Sequence, residues 1–144
     1  MTSLADILAE PDASKVPLFP VEPPDGHKHL SEIKRCVSFR KSMILLSPAF
    51  VFAIPNAGKR NPMQASQEGI VGGVFDYHVA WNHGGAWLEF KGYSAAGRPG
   101  KLSPAQIDWG NRMQALGKSV ACFFDPMHAI EWLHSVGCPI RATL

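Results

Sequence analysis

The stretch from Gly72 to Lys91 constrains this chain most. Gly72-Gly73 interrupts whatever precedes it. Val74 to Trp81 and Ala86 to Lys91 are rich in β-branched and aromatic residues, and Asn82 to Gly85 between them is a turn of the Asn/Gly type. The pattern predicts a β-hairpin. A hairpin alone is marginal in water, so its neighbours must add strands or covering helices. They offer both. His29 to about Leu46 places Leu30, Ile33, Val37 and Ile44 near helical spacing, and Ser47-Pro48 ends that helix, because a residue before proline avoids the helical region. Ala49 to Ile54 predicts a buried strand, Pro55 to Pro62 a polar loop, and Met63 to Glu68 one or two helical turns stopped by Gly69. After a glycine-containing loop, Gly92 to Leu102, Ser103 suits an N-cap, Pro104 the first helical position, Gln106 the third, and Gly117 the residue past the end. Lys118 to Phe124 predicts a strand, and Asp125-Pro126 caps a last helix ending at Gly137. The order α, β, α, β, β, α, β, α predicts an α/β or α+β layered domain, with helices on a small central sheet.

The 144 residues suffice for one such domain, with 46% hydrophobic residues to fill a core. The formal charge of +2 conceals an asymmetry. Residues 1–25 carry five prolines, too many for a helix or a central strand, and read as an extended acidic tail packed through Leu18, Phe19 and Val21. Asp6, Glu10, Asp12, Glu22 and Asp25 against Lys15 give that tail −4, so residues 26–144, with 13 basic and 7 acidic groups, carry +6. Met43 to Ile54, the longest apolar stretch, is too short to span a bilayer, and no export signal is expected at the N-terminus. Cys36, Cys122 and Cys138 form no CxxC and read as reduced thiols in a cytoplasmic protein.

The chemistry lies in the hairpin. Glu89 and Lys91 are two apart on a strand and share a face, with Phe90 on the other. Asp76 stands near the start of the partner strand, where the hairpin can bring it beside Glu89, although spacing leaves the register open. Two adjacent carboxylates repel, and burial penalises both charges. A divalent cation removes that cost. Mg²⁺ takes one or two carboxylates with water and phosphate, and the Phe90 carbonyl adds an oxygen. Lys91 beside such an ion can orient a water or stabilise charge in a transition state, which is equipment for phosphodiester hydrolysis. The plainer alternative is that Glu89 and Lys91 form a solvated strand face. Trp87, Leu88 and Phe90 around them make an unusual setting for one.

The run GGVFDYHVAWNHGGAWLEFKGYSAAGRPGKLSPAQIDWGNRMQALGKSVACFF resembles the VRR-NUC (virus-type replication-repair nuclease) family of the PD-(D/E)xK nucleases. That pattern is a glycine-flanked strand with Asp, a strand with E-x-K, a loop ending in S-x-x-Q at a helix, and a helix closing before Gly. Asp76, Glu89-Phe90-Lys91, Ser103 to Gln106 and Gly117 supply these parts in order, and IPNAGKR at 54–60 resembles the family's Pro-Asn-Gly-rich segment. The resemblance covers about residues 29–136. Phe75 stands where the family has proline, and Met63 to Glu68 lacks the family's basic residue.

The resemblance implies a restriction-endonuclease-like fold with a small mixed central sheet flanked by helices. It implies a Mg²⁺- or Mn²⁺-dependent endonuclease acting on DNA, with branched DNA such as four-way junctions as substrate and no organic cofactor. Asp76 and Glu89 would ligate metal, Lys91 would act at the attacking water, Glu32 would reach the site from the first helix directly or through water, and Gln106 would hold Lys91 or the water. Gln106 also suits a capping box, and Glu32 an exposed helical carboxylate. A two-strand cut needs two sites, hence a homodimer. Lys59, Arg60, Arg98 and Lys101 in loops are candidates for DNA phosphates, and Asn56 for the site mouth; each also suits a solvated loop. His78 shares the Asp76 face and reads as packed rather than ligating. A nuclease of host defence or general DNA degradation, and a catalytically silent DNA-binding module, are the rival readings.

Overall fold

Two strands and a two-residue turn form the centre of the molecule. β2 (Tyr77–Trp81) and β3 (Gly84–Phe90) pair antiparallel, with Tyr77 opposite Leu88 and Trp81 opposite Gly84. The loop is Asn82-His83, and His83 takes the left-handed conformation, at φ 65°. The turn expected over Asn82 to Gly85 is thus tighter, and both glycines join the strand. The computed structural model describes residues 16–55 and 61–141. It adds α1 (Glu32–Leu46), β1 (Phe50–Ala53), α2 (Pro62–Gln67), α3 (Pro104–Ala115), β4 (Ser119–Phe123) and α4 (Pro126–Ser135). The sheet order is β1-β2-β3-β4; β1 and β2 are antiparallel, and β4 runs parallel to β3. That parallel pair is joined through α3, because parallel neighbours need a crossover. The result is a mixed α/β fold with a four-stranded mixed sheet flanked by helices, compatible with a small restriction-endonuclease-like architecture.

Strand alternation divides the core in two. Tyr77, Val79, Leu88, Phe90, Ala121 and Phe123 face α1 and α4, against Phe39, Met43, Ile130 and Leu133. Phe75, Val120 and Cys122 face α3, against Trp109 and Phe19. Phe75 is fully buried, at 4.9 Å from the Trp109 ring. All three cysteines are buried and free.

Two expectations are corrected by the structure. The spacing of Leu30, Ile33, Val37 and Ile44 predicts a helix from His29. Ser31 instead caps α1 by accepting from the Lys34 amide, and the helix starts at Glu32. Its buried residues are Arg35, Cys36, Phe39 and Met43, while Ile33 and Ile44 are 74% and 79% exposed. Secondly, Ala49 to Ile54 is not a buried strand: β1 is a sheet edge, and Phe50 is 68% exposed.

The described part of the proline-rich segment, residues 16–25, meets β4. Val21 bridges Cys122 in parallel, the Glu22 amide donates to the Cys122 carbonyl, and the Cys122 amide donates to the Pro20 carbonyl. Only Phe19 of the three expected contacts is buried; Leu18 and Val21 are exposed. Glu22 accepts from the Phe124 and Asp125 amides at the start of α4. The segment's end is held by Arg35, whose guanidinium is 1% exposed and donates to both Asp25 oxygens and to the carbonyls of Leu30, His27 and Phe124. Every Arg35 N–H direction has an acceptor, the condition under which a buried cation is tolerated.

The chosen face of α1 is testable. Phe39→Ala should destabilise by about 3–5 kcal/mol, whereas Ile44→Ser should change stability by no more than about 0.5 kcal/mol, both read by urea unfolding.

Candidate metal centre

Three elements end at one place. Asp76 lies one residue before β2, Glu89 is the penultimate residue of β3, and Glu32 opens α1. The register opposes Tyr77 to Leu88, so Asp76 falls opposite Glu89, and its amide donates to Glu89 Oε1 at 3.1 Å. One carboxylate oxygen from each of Glu32, Asp76 and Glu89 lies within 4.8 Å of the others. Glu32 is exposed, Asp76 half-buried, and Glu89 only 2% exposed.

Gly92 makes this convergence possible. A Cβ at that position would lie 2.2 Å from the Glu32 amide nitrogen, so only a glycine lets the start of α1 approach the end of β3 so closely. A comparable approach occurs at Gly73, where a Cβ would lie 2.2 Å from the Ala105 carbonyl oxygen. This brings the first turn of α3 against the chain leading to Asp76. Neither role was read from sequence. The signal present was a glycine directly after E-x-K and a glycine pair just before Asp76.

Burial, before anything else, pushes the Glu89 carboxyl up to about 8, and the Asp76 charge adds to that; Lys91 opposes both. Lys91 Nζ lies 3.3 Å from Glu89 Oε2. Although Glu32 is exposed as a residue, desolvation of its carboxyl raises its pKa, reinforced by Asp76 and opposed by Lys91. Asp76 Oδ2 is buried without a hydrogen-bond partner. A buried acceptor left unpaired is costly, and an oxygen-loving cation at this point would satisfy it while relieving the repulsion. The donors are all hard oxygens, which fits Mg²⁺ or Mn²⁺.

Gln106 makes two kinds of contact at once. Its Oε1 accepts from the Ser103 amide at 2.9 Å, while the Ser103 hydroxyl accepts from the Gln106 amide, completing a capping box. The same Oε1 accepts from Lys91 Nζ at 3.1 Å. Asp76, Ser103 and Gln106 face a cleft of about 540 Å³, walled by Ile54, Ile70 and the Gly72-Gly73 chain.

The other predicted residues are less central. Phe90 turns its ring into the α1-side core, 4.9 Å from Phe39. Arg98 and Lys101 are exposed in the loop after β3. Asn56, Lys59 and Arg60 lie outside the described residues. His78 is packed, 4.3 Å from the Trp87 ring and 5.4 Å from the Phe52 ring, and is not among the clustered ligands. Compared with protein-family models, curated proteins and solved structures, the chain gives no match in any of the three.

Two outcomes follow. In metal-free protein, a Glu89 carboxyl raised from 4.5 to about 8 keeps its proton longer folded than unfolded. Its stabilising contribution is full below 4.5 and is lost as pH rises towards 8. Thermal melts in EDTA should therefore show Tm falling between pH 5 and pH 8, Glu89→Gln should flatten that fall, and Mg²⁺ should raise Tm at pH 8. Separately, Gly92→Ala should displace Glu32 and weaken Mg²⁺ binding by about 10–100-fold in calorimetry.

Proposed function

We propose that this chain is a Mg²⁺- or Mn²⁺-dependent endodeoxyribonuclease of the VRR-NUC type. It hydrolyses phosphodiester bonds in branched DNA such as four-way junctions, and works in the cytoplasm as a homodimer. The observation that carries the reading is the convergence of Glu32, Asp76 and Glu89 within 4.8 Å, beside a lysine held by Gln106. Asp76 and Glu89, with the Phe90 carbonyl and Glu32, would hold the ion. When bound, a divalent ion supplies Lewis acidity at the phosphate and lowers the pKa of water.

The chain's own groups do the rest. Lys91 Nζ, fixed between Glu89 and Gln106, donates to the water or to the phosphate oxygen that gains charge. Its position is set before substrate arrives, so little reorganisation is needed at the moment of reaction. Gln106 cannot swing away without opening the start of α3, because its oxygen also caps that helix. The cleft beside Asp76 admits the backbone of the nucleic acid, and Arg98 and Lys101 add phosphate contacts that set affinity rather than sequence choice.

The test is incubation with junction, flap, duplex and single-stranded DNA in Mg²⁺, Mn²⁺ or EDTA. Junction cutting should need metal. Asp76→Ala and Lys91→Ala should each lower the single-turnover rate by about 10²–10³, and Gln106→Ala by about 10–100-fold. Binding without cutting under every metal condition would leave a silent DNA-binding module. Equal cutting of all four substrates would favour general DNA degradation.

A further inference from the structure

The two edges of the sheet are treated differently. Along β4, the chain's own residues Pro20 to Glu22 take up the Cys122 amide and carbonyl. Along β1, no described residue pairs with the outer side. The Ile54 amide donates to the Asp76 carbonyl, and Phe52 and Phe50 oppose His78 and Ala80. By antiparallel alternation, the N–H and C=O groups of Val51 and Ala53 then point outward.

An open edge is normally blunted by lysine, proline, a bulge or an inward charge. The strand Phe-Val-Phe-Ala has none of these. Phe50 and Phe52 are both exposed and pack against each other as tilted rings, 5.2 Å between centroids. Ile44 and Leu45, also exposed, lie on the last turn of α1, which leads into the strand.

We propose that the outer edge of β1 is the homodimer interface, pairing antiparallel with β1 of a second copy about a two-fold axis. The inference rests on the homodimer of the proposed function and names its surface. A second copy fits for two reasons. A strand meeting itself about a two-fold is self-complementary in backbone hydrogen bonding and in its phenylalanine pair. The pairing also closes, since a two-fold contact uses the same edge on both copies, while on the opposite edge Cys122 already pairs with the chain's own Pro20 and Glu22. A nucleic acid fits less well, because the strand offers no charged side chain to a phosphate.

Sedimentation velocity and concentration-dependent hydrogen exchange on the full chain test this. The expected result is a dimer in which the Val51 and Ala53 amides gain protection as concentration rises. Phe50→Lys should weaken dimerisation by at least about tenfold. Val51→Pro, which removes an outward donor and leaves the donors towards β2, should do the same. Circular dichroism should show both variants folded, and if Val51→Pro does not fold, Phe50→Lys decides. A dimer unaffected by these changes overturns the interface and leaves the homodimer on another surface. A monomer at every concentration overturns both. Protection of Val51 and Ala53 in a monomer would mean that the chain covers its own edge, and open-ended assembly would refute closure; either result defeats the proposal.

Discussion

Glu89 is a carboxyl group almost wholly removed from water, facing a second carboxylate across a strand pair. The local architecture is organised around making that tolerable. β2 must start where it does to offer the Asp76 amide to Glu89. Lys91 must turn back beside Glu89, and Gln106 must hold it there. α1 must begin against the end of β3, which needs Gly92. None of these arrangements is a strong stabiliser by itself. A buried ion pair seldom outperforms apolar packing, so the cluster is a cost carried by the two surrounding cores.

Those cores explain how so small a domain carries it. One face of the sheet is sealed by α1 and α4 around Phe39, Leu88 and Phe90, and the other by α3 and the proline-rich segment around Phe75 and Trp109. The site sits at one end of the strands, between the layers. Helix starts meet it from both faces, and Asp76 and Lys91 sit directly beside the ends of β2 and β3, so its side chains are held on or next to regular elements.

Much of this could be read from the residues. The hairpin, the capped start of α3 and the shared face of Glu89 and Lys91 follow from local chemistry, because turn types, caps and strand alternation act over a few residues. Asp76 beside Glu89 was expected, but its register was not, since register depends on a turn two residues tighter than the Asn/Gly pattern suggests. The buried face of α1 was not legible because its apolar residues surround the helix, and only the sheet decides which to bury. β1 was misplaced in the core because its sequence suits a central strand, and nothing local reports whether a neighbour exists. Arg35 was missed for a related reason. A buried arginine is recognisable only from acceptors that come together in the fold.

The Glu22 contact with the Phe124 and Asp125 amides joins residues more than a hundred positions apart. On a ribosome adding about 5–20 residues per second, the segment around Glu22 is made several seconds before β4. For that interval it has neither a strand to lie along nor a helix start to cap, and Phe19 has no Val120 or Cys122 to pack on. A segment synthesised early thus docks only once β4 and the start of α4 exist.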